Sequence, residues 1–123
     1  MRAQPALPYA AGAAVTKRRI VKFSADLTVV QAAAATDALV GVADSLGAEA
    51  AGARCEVYVA GVVEVEAGGN ITRGAFVTSD ANGRAVAAAP AAGANNRVIG
   101  IAQASAVSGD IVDVLLAPGQ IQG

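Results

Sequence analysis

Four cations fall within six residues, Lys17, Arg18, Arg19 and Lys22, and form the densest charge in the chain. Guanidinium and ammonium groups this close together suit an anionic partner. Nucleic acid is a poor fit: Phe23 is the only aromatic beside them, and a strand-binding groove needs stacking faces along its length. Protein contact is the better reading. The other candidates for chemistry are carboxylates and one thiol. Glu64 and Glu66 are two apart in the alternating run VVEVEA, so they share a strand face and can hold a cation or exchange a proton. No third ligand stands near them in sequence. Asp37, Asp44, Asp110 and Asp113 border candidate strands, where turn roles are expected. Cys55 alternates with Val57 and Val59 on one strand face, and the chain has no histidine to act as its base. A single cysteine permits no internal disulfide. Gly68-Gly69 lacks the Gly-Lys-Ser/Thr that completes a phosphate loop. The expectation is a protein without cofactor, metal site or enzymatic activity.

The elements that must carry these residues are short and apolar. The 123 residues are 54% hydrophobic but only 3% aromatic, so alanine and glycine dilute the core and Val, Ile and Leu must fill it. Apolar burial is worth about 25 cal/mol per Å², and an alanine-rich interior supplies little of it per residue. That favours stability shared with a partner. No apolar run reaches the ~20 residues of a membrane-spanning helix, and no membrane partner is expected. The start of the chain lacks the apolar centre of a secretory signal, which points to synthesis in the cytoplasm. The net charge of −1 conceals a polarity: residues 1–22 hold Arg2, Lys17, Arg18, Arg19 and Lys22, and all ten acids lie beyond them.

Residues 1–14 show no periodicity, and Pro5, Pro8 and Gly12 argue for an extended arm, unordered on its own, with Leu7 and Tyr9 as its bulky anchors. Residues 18–23 predict a strand with charge on both faces, which suits a sheet edge. Thr28-Val29-Val30 is placed to pair back on it. Residues 31–37 predict one helical turn or an irregular link. Alternation predicts strands over 39–43, 54–60, 62–67, 75–78, 84–87, 97–104 and 111–116. Asn82-Gly83 marks a hairpin turn. Turns every 8–12 residues and no long helix make an all-β barrel or sandwich. The expected organisation is an arm over 1–14, one β-rich domain over 15–119 and a frayed tail over 120–123.

One pattern occurs twice. Leu39-Val40-Gly41-Val42-Ala43 matches Val98-Ile99-Gly100-Ile101-Ala102, 59 positions later. Each copy leads through a loop of small residues to a glycine, Gly52 or Gly109, then to an alternating run. A strand-loop-strand unit is therefore duplicated once. Gly41, in mid-strand, predicts a bulge or a close backbone approach.

Residues 64–86, EVEAGGNITRGAFVTSDANGRAV, together with DALVGVAD and RVIGIAQASAVSGDIVDVLLAPG, resemble small bacteriophage capsid decoration, or cement, proteins, a group that includes the lambda-type head-decoration protein. The likeness covers roughly residues 15–123. It implies a β-rich structural protein of the virion, made in the host cytoplasm. Such proteins commonly form a trimer on the outer capsid surface near three-fold positions, where they brace the expanded shell against DNA pressure. The implied partner is the major capsid protein. Leu7, Tyr9, Lys17, Arg18, Arg19 and Lys22 are the expected capsid-binding residues, the first two by analogy with N-terminal arms that order on binding. A β-rich adhesion module of a phage tail is the alternative.

Overall fold

A computed structural model describes residues 6–122, which form ten strands in two sheets. The first five are β1 (Ala6–Ala11), β2 (Ile20–Ala25), β3 (Thr28–Gln31), β4 (Leu39–Ala43) and β5 (Arg54–Tyr58). They close a barrel in the order β1-β3-β2-β4-β5. The second five are β6 (Val62–Glu66), β7 (Phe76–Ser79), β8 (Ala85–Ala87), β9 (Asn95–Ala102) and β10 (Ile111–Gln122). They form a sheet in the order β6-β10-β9-β7-β8. The fold is all-β, as the alternating runs predict.

Three expectations need correction. Residues 6–11 of the supposed arm are a barrel strand: β1 pairs antiparallel with β5 from Ala6↔Tyr58 to Ala10↔Arg54 and parallel with β3 at Ala11↔Val29. Pro8 sits opposite Glu56 without breaking the ladder, and only Ala11 of the strand is buried while Leu7 stays exposed, a pattern that a search for uniform apolar alternation misses. Residues 1–5 of that arm lie outside the described residues. Secondly, β2 is not a sheet edge but lies between β3 and β4. Arg18 and Arg19 precede it, because Arg18 takes a left-handed φ of 56° and the strand begins only at Ile20; Lys22 alone lies within it. Thirdly, residues 117–122 continue β10 against β9, from Gly119↔Val98 to Gln122↔Asn95. A register shift between Leu116 and Gly119 absorbs Pro118, which has no N–H to give the ladder.

The two sheets are copies of one unit. Replacing β1 to β5 by β6 to β10 turns the barrel order into the order of the second sheet. The correspondence is residue by residue. Over the first three strands the shift is 56 positions: Ala6↔Tyr58 answers to Val62↔Leu115, Phe23↔Val29 to Ser79↔Ala85, and the parallel Ala11↔Val29 to the lone parallel bridge Ala67↔Ala85. The bridges Val15↔Ala48 and Ile71↔Ala106 correspond as well. The eight core residues of the barrel, among them Val15, Val21, Cys55 and Val57, map one-to-one onto eight core residues of the second unit, with Ile71, Val77, Val112 and Val114 at those four places.

The paired glycines explain the repeated motif. A Cβ on Gly41 would run into the carbonyl oxygen of Tyr58, and a Cβ on Gly100 into that of Leu115. Both strands cross a neighbour's backbone where only glycine fits.

The units differ at their seam. In the first, the Ala10 N–H donates directly to the Leu27 carbonyl (3.1 Å) and closes the barrel. In the second, the equivalent groups are parted by the first unit: the Glu66 N–H donates to the Arg18 carbonyl (3.0 Å), and the Ile20 N–H donates to the Gly83 carbonyl (2.7 Å). Residues 18–20 thus wedge between β6 and the β7–β8 turn. Ile20 and Val21 are both fully buried because they face two different cores, the second unit's and the barrel's own.

Candidate functional site

The basic cluster is largely used up at this joint. The Arg19 guanidinium donates from Nε and Nη2 to Glu66 Oε1 (3.2 Å each) and from Nη1 to the Asn82 carbonyl (2.9 Å). Arg18 pairs with Glu64 at 3.4 Å. The wedge at residues 18–20 places both arginines beside β6, whose outward glutamates are their counter-ions. Glu64 and Glu66 therefore hold arginines rather than a metal or a proton relay, and no cluster of metal-ligating side chains occurs among the described residues. Lys22 pairs with Asp37 at 3.3 Å. Burial raises the Asp37 pKa, but the Ala33 and Ala34 N–H groups, both donating to its Oδ2, and the Lys22 ammonium outweigh it and leave it below the ordinary carboxylate value. Only Lys17 of the four predicted cations is exposed, with no carboxylate partner among the described residues.

Cys55 is fully buried on β5, and burial first, then the Asp44 and Glu56 charges, push its thiol up from its ordinary value. It is a core residue, not a nucleophile.

Two apolar surfaces are exposed instead. The first is the mouth of the barrel. Leu7 on β1 is 45% exposed and Phe23 on β2 is 44% exposed. Tyr9 meets the Phe23 ring edge-on, with centroids 6.0 Å apart. Leu7 and Tyr9, expected as anchors of a free arm, are held in register by Val57 and Cys55 on β5. The structure brings these two together with Phe23, apart from Lys17, Arg18 and Arg19.

The second surface lies on the outer face of the second sheet. Phe76 pairs with Ile101, Ile101 with Leu115, and Leu115 with Val62. Cross-strand partners share a face, so these four make one continuous apolar row across β7, β9, β10 and β6. Phe76 is 48% exposed and Leu115 39%. Sequence reasoning placed these strands but missed the row. Its signal was available in the duplication, since Phe76, Ile101 and Leu115 stand where Ile20, Val42 and Tyr58 stand in the first unit.

The sequence matches the family model of phage cement proteins over residues 1–116, and so through both units. No curated protein matches it. Among solved structures, the fold is similar to the N base of the head fiber protein gp8.5 of bacteriophage phi29, with a TM-score of 0.68 and 21% identity, covering 91% of this chain and 92% of that one. The chain belongs to the phage cement protein family and is a structural protein of the phage head.

Proposed function

We propose that this protein binds the outer surface of the expanded phage capsid as a homotrimer at three-fold positions, contacts the major capsid protein there, and braces the shell against internal DNA pressure. Family membership across both units carries the reading. The form of the molecule supports it: a cement protein needs adhesive surface on a stiff body, and here apolar side chains stand out from closed or paired β-structure rather than lining a deep cleft. Many copies on a lattice gain avidity from modest individual contacts.

Of the cations expected to meet the capsid, Lys17 keeps that role, because Arg18, Arg19 and Lys22 already have carboxylate partners. Leu46 joins it. It is 83% exposed on the β4–β5 loop, whose Gly47 lies against the Lys17 backbone. A cation beside an exposed aliphatic group suits an acidic, partly apolar patch.

The test is addition of the purified protein to undecorated, expanded heads. The expected results are co-sedimentation with the heads and a higher temperature of DNA release. Failure to sediment with them at saturating protein concentration would refute the proposal.

A further inference from the structure

Each exposed surface has a buried twin in the other unit. In the first unit, the outer row is Ile20, Val42 and Tyr58, joined by the registers Ile20↔Val42 and Val42↔Tyr58. Ile20 and Val42 are fully buried, packed with Tyr58 into the core of the second unit. The surface that receives them includes Val63, Val65, Ile99 and Leu116, all buried. This is an apolar contact between the outer row of one unit and the mouth of the other.

Both halves of that contact occur a second time, and both are unoccupied. The second unit's outer row is Phe76, Ile101 and Leu115, exposed or half-buried. The first unit's mouth carries Leu7 and Tyr9 at the positions of Val63 and Val65, and Phe23 at the position of Ser79. At these three matched positions the mouth filled within the chain carries two valines and a buried serine, whereas the open one carries a leucine and two aromatics. Aromatic side chains are the usual anchors of interfaces between chains.

We infer that copies of this chain associate head to tail, the Phe76–Ile101–Leu115 row of one copy seating on the Leu7–Tyr9–Phe23 mouth of the next, so that the apolar part of the contact joining the two units within a chain recurs between chains, without the backbone wedge that the closed first seam does not admit. The occupant of each surface is thus a second copy. Within one chain the two surfaces do not cover each other, since Leu7, Phe23, Phe76 and Leu115 all remain exposed. A heterologous contact of this kind must close into a ring or grow without limit. The inference rests on the reading of the protein as a homotrimer, in which three chains close a ring of six similar units.

The experiment is light scattering and sedimentation velocity on the full chain and on variants of each surface. Leu115→Asp and Phe76→Asp block the row. Leu7→Asp and Phe23→Ser block the mouth, the serine being the residue that the second unit carries at that position. Circular dichroism selects the variants that stay folded. The wild type is expected to be a trimer, and each folded variant a monomer at concentrations where the wild type is fully assembled. Leu46→Asp, on the loop assigned to the capsid, should remain trimeric. Mixing a row variant with a mouth variant leaves one intact row and one intact mouth, and a one-to-one dimer is expected at high concentration. A trimeric wild type whose row or mouth variants stay trimeric overturns the interface alone. A row-to-row association would be two-fold and would overturn the proposal by giving a dimer that the mouth variants retain. A monomeric wild type overturns both the interface and the trimer. Sedimentation of the same proteins with expanded heads reads the capsid contact separately.

Discussion

The two halves of this molecule are built to one plan, and they differ in what covers them. The first unit closes its own seam through the Ala10–Leu27 hydrogen bond and leaves its mouth open. The second has its seam held apart by residues 18–20 and its mouth filled by Ile20 and Val42. A single barrel design thus yields a self-sufficient half and a half that requires its neighbour. The backbone follows the same division. At two matched turns the first unit holds Arg18 and Leu27 at positive φ (56° and 52°), where the second has Gly74 and Gly83 (88° and 75°). A side chain in the left-handed region costs about 1 kcal/mol. At Arg18 the cost is offset by what that residue does, since its carbonyl accepts from Glu66 and its side chain meets Glu64.

The largest effect is expected where the units agree. Gly41→Ala and Gly100→Ala each push a methyl group into a partner strand's carbonyl oxygen, and backbone cannot move aside as a side chain can. Each should cost about 3 kcal/mol or more, a large fraction of the ~5–15 kcal/mol that holds a native domain folded. Urea denaturation followed by circular dichroism measures this. If one tolerates alanine and the other does not, the two crossings are not equivalent and the duplication is only topological.

A second substitution pair separates the units. Ile20 and Phe76 occupy matched positions, but Ile20 is buried in the joint and Phe76 faces solvent on the isolated chain. Ile20→Ala should cost about 2–5 kcal/mol, because the cavity opens where two units meet. In the monomer, Phe76→Ala should cost under about 1 kcal/mol. Denaturation at low protein concentration reads both, and near-equal losses would mean that the joint contributes little. Raising the concentration sharpens the comparison, since the Phe76→Ala deficit should grow only once wild-type copies associate.

How much of this the sequence revealed follows from where the copies kept their spacing. The motif around Gly41 and Gly100 was legible because steric need preserved Val/Ile-Gly-Val/Ile-Ala at a fixed 59-residue offset. The other half of each unit was hidden. Val15-Thr16-Lys17-Arg18 and Ile71-Thr72-Arg73-Gly74 are equivalent, yet they stand 56 apart, because β9 begins three residues ahead of Val98, the counterpart of the first residue of β4, Leu39. With the offset broken, β1 looked like an arm rather than the partner of β6. The basic cluster misled for a related reason. Charge density was read correctly from 17–22, but the counter-ions Glu64 and Glu66 are more than forty residues away, and only the wedge at the joint brings them together. The exposed row could not be read from alternation alone, since an apolar residue facing solvent and one facing a neighbouring unit have the same alternation. The strand registers place these residues on one face, and their exposure sets them apart from their buried counterparts in the first unit.

The smallest effect tests whether the matched cores are interchangeable. Cys55 faces the barrel interior where the second unit has Val112, and both positions are buried against a strand partner, Tyr9 in one case and Val65 in the other. Valine adds a methyl branch to a site that the duplicated backbone already accommodates in the second unit. The thiol, shifted toward its neutral form by burial, makes no ionic contribution that would be lost. Cys55→Val should therefore change stability by less than about 1.5 kcal/mol, and the melting temperature of the variant measures it. The neighbour decides the sign. Tyr9 is bulkier than Val65 and already meets Phe23, so the barrel has less room beside position 55 than the second unit has beside Val112. A loss well above that bound would show that the mouth aromatics have repacked the first core around the smaller thiol. The two interiors would then have diverged to suit the aromatic surface that only the first unit presents.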